Sequence, residues 1–379
     1  MNNPWNNTIG AGRKSILSLF SITCILFCMQ KPSRAFVAED KLTKEIEFRL
    51  YFNCYNYPID WAALIDLKNN PILNACTTGA TAKELESLQI SDLEARLQKL
   101  QNGKLIRKVG PRYRLNFPAI VGKKQTELKK LVESTALKLL PASEKMTQEV
   151  AALLKGHEEM LYHFIWSIIM DGPVAWDTLE NELIKQLKKA DASISGTIWM
   201  AYPNHPYRAG TNTYSDLKNG AVEITWSLTT PMPPTVHEII KRYESELFQS
   251  VTTGQPVEDQ RASQALAKYG FVDEEGIGRV YIIDPSSQMA QTFGKISRKF
   301  GNEVMTHLDL QQAARMLGVT HVQALIIVYH ELCYVLLEQL ARKKILEVPE
   351  IVLKPGVELD QTFRLVSIID LRRLNPSGR

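Results

Sequence analysis

The chain of 379 residues has only five cysteines, and they form no CxxC pair and no Cys/His cluster of zinc type. That excludes a disulfide framework and a structural zinc site. No GxSxG nucleophile elbow and no GxxxxGK[ST] phosphate loop occurs, and Gly276-Ile277-Gly278 lacks the third glycine and the preceding strand of a dinucleotide site. His330-Glu331 opens like a zinc-peptidase motif, but Tyr334 stands where the second histidine is required. An excess of one charge is also missing: 45 Lys and Arg face 41 Asp and Glu, so any basic site must be local. With 45% hydrophobic residues, 20 Gly and 18 Pro, the composition is that of a globular protein, neither disordered nor collagen-like. From these absences we expect no metal, no cofactor and no catalytic residue of a familiar type.

The N-terminus carries a compartment signal. Arg13 and Lys14 precede the uncharged run Ile16–Met29, and the small-residue stretch Ser33-Arg34-Ala35 follows. This is the layout of a secretory signal peptide cut after Ala35. The run is shorter than the roughly twenty residues of a membrane span, so no stable transmembrane anchor is expected. Export, to the periplasm or beyond, is the favoured expectation. Lys31 and Arg34 near the cut favour the alternative, a cytoplasmic chain that begins at Met29. Cleavage would leave Cys54, Cys76 and Cys333, which allow at most one internal disulfide.

The pattern along the chain indicates an α+β, helix-rich protein, with helical ends around a β-containing middle. We divide it into a leader (1–35), an N-terminal domain (36–121), a helical plus β-hairpin domain (122–251) and a C-terminal α/β region (252–379). The lead-in 41–61 shows no sustained period. A short helix is expected near Ala62–Leu67. Thr81-Ala82-Lys83-Glu84 and Ser91-Asp92-Leu93-Glu94 then both fit the capping box, in which a hydroxyl and a carboxylate satisfy free helix N–H groups reciprocally. Leu93, Leu97 and Leu100 share one face of the second helix, and Asn102-Gly103 ends it. Lys104–Val109, a Gly110-Pro111 turn and the alternating Arg112–Phe117 follow as a hairpin.

Helix, turn, helix and hairpin in this order, carried by LQISDLEARLQKLQNGKLIRKVGPRYRL, resemble the winged helix-turn-helix superfamily, including regulators of the ArsR type. The resemblance covers about 61–121. It implies that Ser91–Gln101 is the recognition helix and Lys104–Leu115 the wing. The hairpin carries Lys104, Arg107, Lys108, Arg112 and Arg114 and no acid, which suits contact with phosphates. The helix start instead carries Asp92 and Glu94, and leaves Arg96, Gln98, Lys99 and Gln101 as polar contacts. Arg96, Lys99, Lys104, Arg107, Lys108, Arg112 and Arg114 are therefore the candidate contacts, to nucleic acid or to a partner protein.

Farther on, a helical stretch 125–170 is expected to break at Pro141, and its His157 and His163 lie on different faces, unsuited to joint metal binding. Trp176–Ala190 is a further helix. Ser195–Tyr202 and Ala221–Thr230 read as a hairpin on a small antiparallel sheet, separated by a loop, 203–220, with His205, Arg208, Asn212 and Tyr214. Thr235–Val251 returns to helix, and Arg279–Ile283 is a brief strand. A weaker helix-turn-helix-like match spans 308–347, where Asp309–Thr320 supplies helix and turn and Thr320–Gln323 another capping box. The helix after it departs from that family: Ala324–Leu337 is almost wholly apolar, and belongs in a core or an interface. Glu331, Glu338 and Arg342 read as its solvated stripe, and Lys344–Leu353 as a possible strand.

Three readings follow. The favoured one is a noncatalytic protein that uses winged-helix-like modules for protein binding or self-association after export. The alternative is a cytoplasmic DNA-binding regulator. The third is an uncharacterised enzyme with its site in the 203–220 loop.

Overall fold

The computed structural model describes residues 47–52, 59–187, 196–201 and 205–371. The leader, its cleavage site and Cys54 lie outside them. Strand β1 (Glu47–Phe52) falls in the lead-in that showed no sequence period.

In the N-terminal unit, Asp60 caps α1 (Trp61–Ile65) by accepting the Ala63 N–H at 3.0 Å, and Pro71 sits in the first turn of α2 (Asn70–Ala75). Strand β2 (Ala80–Thr81) leads into α3 (Ala82–Glu86), which opens on the expected Thr81–Glu84 capping box. Helix α4 (Leu93–Asn102) buries Leu97 and Leu100. The second expected capping box does not form. Asp92, not Ser91, precedes the helix, with a left-handed φ of 57° and no side-chain cap, while the Ser91 carbonyl accepts from Arg96 Nε at 3.3 Å. Strands β3 (Ile106–Val109) and β4 (Arg112–Leu115) form the expected hairpin, and β2 adds to it in the order β2-β4-β3. Gly110 turns the hairpin at a φ of 58°, a backbone that glycine adopts without strain.

Strand β5 (Ala119–Ile120) leads to α5 (Lys123–Leu153), which runs through Pro141 without the expected break. A proline here removes one ladder bond, but Leu139, Leu140, Met146 and Val150, on both sides of it, are buried in one core that keeps the two halves in line. The helical stretch ends at Leu153 and resumes as the single turn α6 (Leu161–His163) and a π-helical run, Phe164–Met170. Helices α7 (Pro173–Leu187), α11 (Gln288–His307), α12 (Leu310–Leu317) and α13 (His321–Arg342) pack with them. The apolar helix α13 lies in the middle: Leu325, Ile326, Val328, Leu332 and Leu336 are all buried, and it packs on α5, α12 and β6 (Gly196–Ala201).

The middle strands differ from expectation. Instead of pairing as a hairpin, the two expected strands enter different sheets. Strand β6 lies between β1, antiparallel, and β5, parallel. Strand β8 (Gly220–Ser227) lies in a four-stranded sheet of order β7-β8-β10-β9, with β7 (Ala209–Tyr214), β10 (Val366–Asp370) and β9 (Tyr281–Ile283). The expected 203–220 loop thus contains a strand, and the sheet is mixed, because β9 and β10 run parallel across a helical crossover. Side chains alternate across it. Val222, Ile224, Val366 and Ile368 face α8 (Pro233–Arg242), α9 (Glu244–Thr253) and α10 (Gln260–Ala267), whereas Ala221 and Ile369 face the large helical core. Residues 122–251 and 252–379 therefore share one sheet and one core. Where a strand was expected near 344–353, there is the short helix α14 (Glu350–Leu353). Strand β6 ties the N-terminal unit to the rest, since Ile198 and Met200 enter its core while Trp199 and Ala201 enter the large one.

Because α13 is enclosed by its own chain, Leu325→Asp is expected to unfold the protein, with a loss of at least about 3 kcal/mol from an uncompensated buried charge. Urea unfolding followed by circular dichroism checks this; a folded variant with unchanged midpoint contradicts it.

Candidate functional site: a basic hairpin beside a buried polar seam

The structure sorts the seven basic candidates by their partners. Arg96 faces inward: its NH1 donates to Asp66 Oδ2 and Asn69 Oδ1, both at 2.9 Å. Burial pushes the Asp66 carboxyl up, but Arg96 and the Lys68 N–H outweigh it and hold the group below its usual value. Arg112 donates to the Gly79 carbonyl at 2.6 Å and pairs with Glu84 at 3.3 Å, tying the hairpin to α3. These two side chains hold the unit together. Lys99, Lys104, Arg107, Lys108 and Arg114 are exposed. None of the five has an ion-pair partner among the described residues, and Lys108 only leans over the Tyr113 ring at 5.5 Å.

Register gives the hairpin its character. Arg107 stands directly opposite Arg114, on the face that also carries Arg112 and Val109. Like charges opposite each other on an antiparallel pair repel, and here both arginines are exposed. Alternation puts Ile106 and Tyr113 on the other face, in the unit's core. The hairpin thus presents an outward cationic ridge on a buried apolar base. A shallow depression runs beside it, where Ile59 and Asp60 flank Ala95, Gln98, Lys99 and Asn102 of α4.

A second group of polar residues lies deep between the π-helical run and the inner face of the four-stranded sheet. His163 Nδ1 and Nε2 each meet a hydroxyl at 2.8 Å, Thr225 and Ser367 respectively. Burial pushes His163 down to about 3, so the ring is neutral. Ser167 bridges Thr211 at 3.0 Å and Thr225 at 2.5 Å. Asp171 accepts from Trp176 Nε1 at 3.0 Å and lies 3.9 Å from His330 Nε2. Burial raises Asp171 and lowers His330, against their mutual attraction. Glu223 is pushed up to about 8 by burial and by Asp171, against a hydrogen bond from Thr213, and its Oε2 has no hydrogen-bond partner among the described residues.

Residues of the third reading have partners of their own. His205 Nε2 reaches Glu331 Oε2 at 2.7 Å, Arg208 is buried over the Trp226 ring, and Tyr214 stacks on His237 at 4.2 Å, where His237 bonds Asp216 at 2.7 Å. His157 is half exposed and His163 buried, in separate settings as expected. Glu331 departs from the solvated stripe expected for it: it is buried, while Glu338 and Arg342 pair nearer the surface. Among the described residues no three His, Cys, Asp or Glu side chains are grouped to hold a metal ion. Cys76 and Cys333 are unpaired and buried, and burial raises both thiols, Cys76 to about 12. Sequence reasoning missed the Asp171–His330 and His205–Glu331 pairings. Their one visible trace was Glu331 inside an apolar helix. No protein-family model, curated protein or solved structure matches the chain.

Glu223 makes the seam sensitive to pH. Folded Glu223 keeps its proton up to about 8, whereas the unfolded group releases it near 4.5. The native state therefore loses stability as pH rises through that window and keeps it below. Glu223→Gln is expected to gain on the natural protein across the same window, by a few kcal/mol at the order-of-magnitude level. Parallel stability-versus-pH curves from urea unfolding would contradict this.

Proposed function

We propose that the chain is a noncatalytic nucleic-acid-binding protein, with a winged helix-turn-helix unit at 61–121 that grips duplex DNA mainly through its wing. The observation that carries the reading is the register of the hairpin. Two exposed arginines, Arg107 and Arg114, face each other with no ion-pair partner among the described residues, and Lys104 and Lys108 add exposed cations, Lys108 from the hairpin's other face. Such an arrangement is repulsive alone and favourable along a phosphate backbone. The order helix, strand, helix, helix, hairpin and the sheet order β2-β4-β3 support the winged-helix assignment.

Asp92 and Glu94 at the exposed start of α4 limit what the helix can do in a groove. Gln98, which bonds Asn102 at 2.8 Å, Lys99 and the partly exposed Gln101 are the polar groups left for a groove, so phosphate contacts dominate and sequence discrimination is weak. The self-association reading loses its main support, because the apolar helix it relied on is occupied within the chain. Large exposed hydrophobics among the described residues, such as Leu67, Val109 and Leu137, sit on different elements. DNA binding takes the cytoplasmic alternative for the working chain, with Ile16–Met29 not acting as a cleaved export signal.

The full chain is expected to bind duplex DNA with an affinity that falls steeply with salt. Arg107→Ala with Arg114→Ala should lower the slope of log K against log salt by about two. Absent or salt-insensitive binding, or an unchanged slope in the double variant, contradicts the proposal.

A further inference from the structure

Between α5 and α13, away from the hairpin, lies a recessed cleft of about 180 Å3. A cavity of about 150 Å3 accepts benzene, so a cleft of this size suits a small metabolite. An aliphatic strip, Leu128 and Val132 from α5 and Val335 from α13, runs through a lining that is otherwise largely polar and includes Gln125, Glu133, His205 and Gln339. Its charges are graded by depth. The deepest is Glu331, with a side chain only 4% exposed, and Glu338 is 20% exposed. The cations stand at the mouth, Lys129 at 64% and Arg342 at 65%.

A buried carboxylate in a cleft with one aliphatic strip and two cations at its mouth suits a ligand that is cationic at its inner end, apolar along one flank and anionic at its outer end. We propose that the cleft binds a small aliphatic α-amino acid, with its ammonium toward Glu331 and Glu338 and its carboxylate toward Arg342 and Lys129. His205 bonds Glu331 Oε2 at 2.7 Å and so holds that carboxylate in place at the floor. The rim cations already have partners on their own helices, Lys129 with Glu133 at 3.8 Å and Arg342 with Glu338. Exposed helix pairs of this kind are weak, so a ligand carboxylate can take over their cations at small cost. Glu338 released by Arg342 is then free to meet the ammonium. Because the cleft wall includes Ile120 of β5, which pairs with the strand shared by both cores, the ligand sits at the joint between the N-terminal unit and the rest. The proposal does not rest on DNA binding, and its test is made without nucleic acid.

The test is calorimetric titration of the full chain with L-leucine, with leucinol, which lacks the carboxylate, and with 4-methylpentanoate, which lacks the ammonium. Leucine should bind and raise the unfolding temperature, and each truncated analogue should bind at least about tenfold more weakly, the loss expected when a charged partner in the cleft is left unmatched. Glu338→Gln should weaken leucine and leucinol alike and spare 4-methylpentanoate; Arg342→Ala should weaken leucine and spare leucinol. The proposal is overturned if leucine gives neither heat nor a thermal shift, if both analogues bind as well as leucine, or if the two folded variants bind leucine as the natural chain does. The analogue series needs no variant and decides the matter should either substitution unfold the chain.

Discussion

Helix α13 is apolar on nearly every side, and a helix of that kind has to be surrounded. Much of the fold answers this requirement. Helices α5 and α12 and strand β6 pack on it directly, Tyr329 reaches across to donate its hydroxyl to the Met170 carbonyl, and Trp176 and Phe300 meet the Tyr329 ring from α7 and α11. Each fully buried leucine contributes about 1.5–3 kcal/mol by leaving water. Most of this helix is buried inside the chain, and among the described residues several polar features stand out: the cationic hairpin, the Glu223 oxygen and the charged cleft.

Much of the N-terminal unit could be read from the sequence, because its signals are local. The Thr81–Glu84 capping box, the Leu97 and Leu100 face and the alternation of Arg112 to Leu115 each fix a short element by interactions a few residues apart. Less legible was what the elements do to one another. Alternation shows that Arg107 and Arg114 face outward, but only the pairing register sets them opposite each other. Arg96 had the look of a contact on a recognition helix. Its actual partners, Asp66 and Asn69, are about thirty positions upstream, a relation that no period reveals.

The middle and C-terminal regions were less legible for the same reason on a larger scale. Strands β6 and β8 have the residues of neighbouring strands, yet one pairs with β1 and β5 and the other with β7 and β10, partners supplied from distant parts of the chain. Pro141 signals a break only if neighbouring turns are free to bend, and burial on both sides of it removes that freedom. The hydroxyls of Ser167, Thr225 and Ser367 look unexceptional in sequence. They matter because His163 needs two partners in a place where no water reaches. Glu331 was the one buried charge with a sequence trace, and its meaning depended on His205 from a separate strand connection.

Helix α13 is internal, and the hairpin is the surface proposed to meet a macromolecule. Hydrogen–deuterium exchange of the full chain, with and without duplex DNA, tests both parts in one measurement. The account predicts that amides of 324–340 exchange among the slowest in either state, and that duplex slows exchange chiefly over 104–115. Rapid exchange in α13, or protection by duplex that appears elsewhere and spares the hairpin, would contradict it.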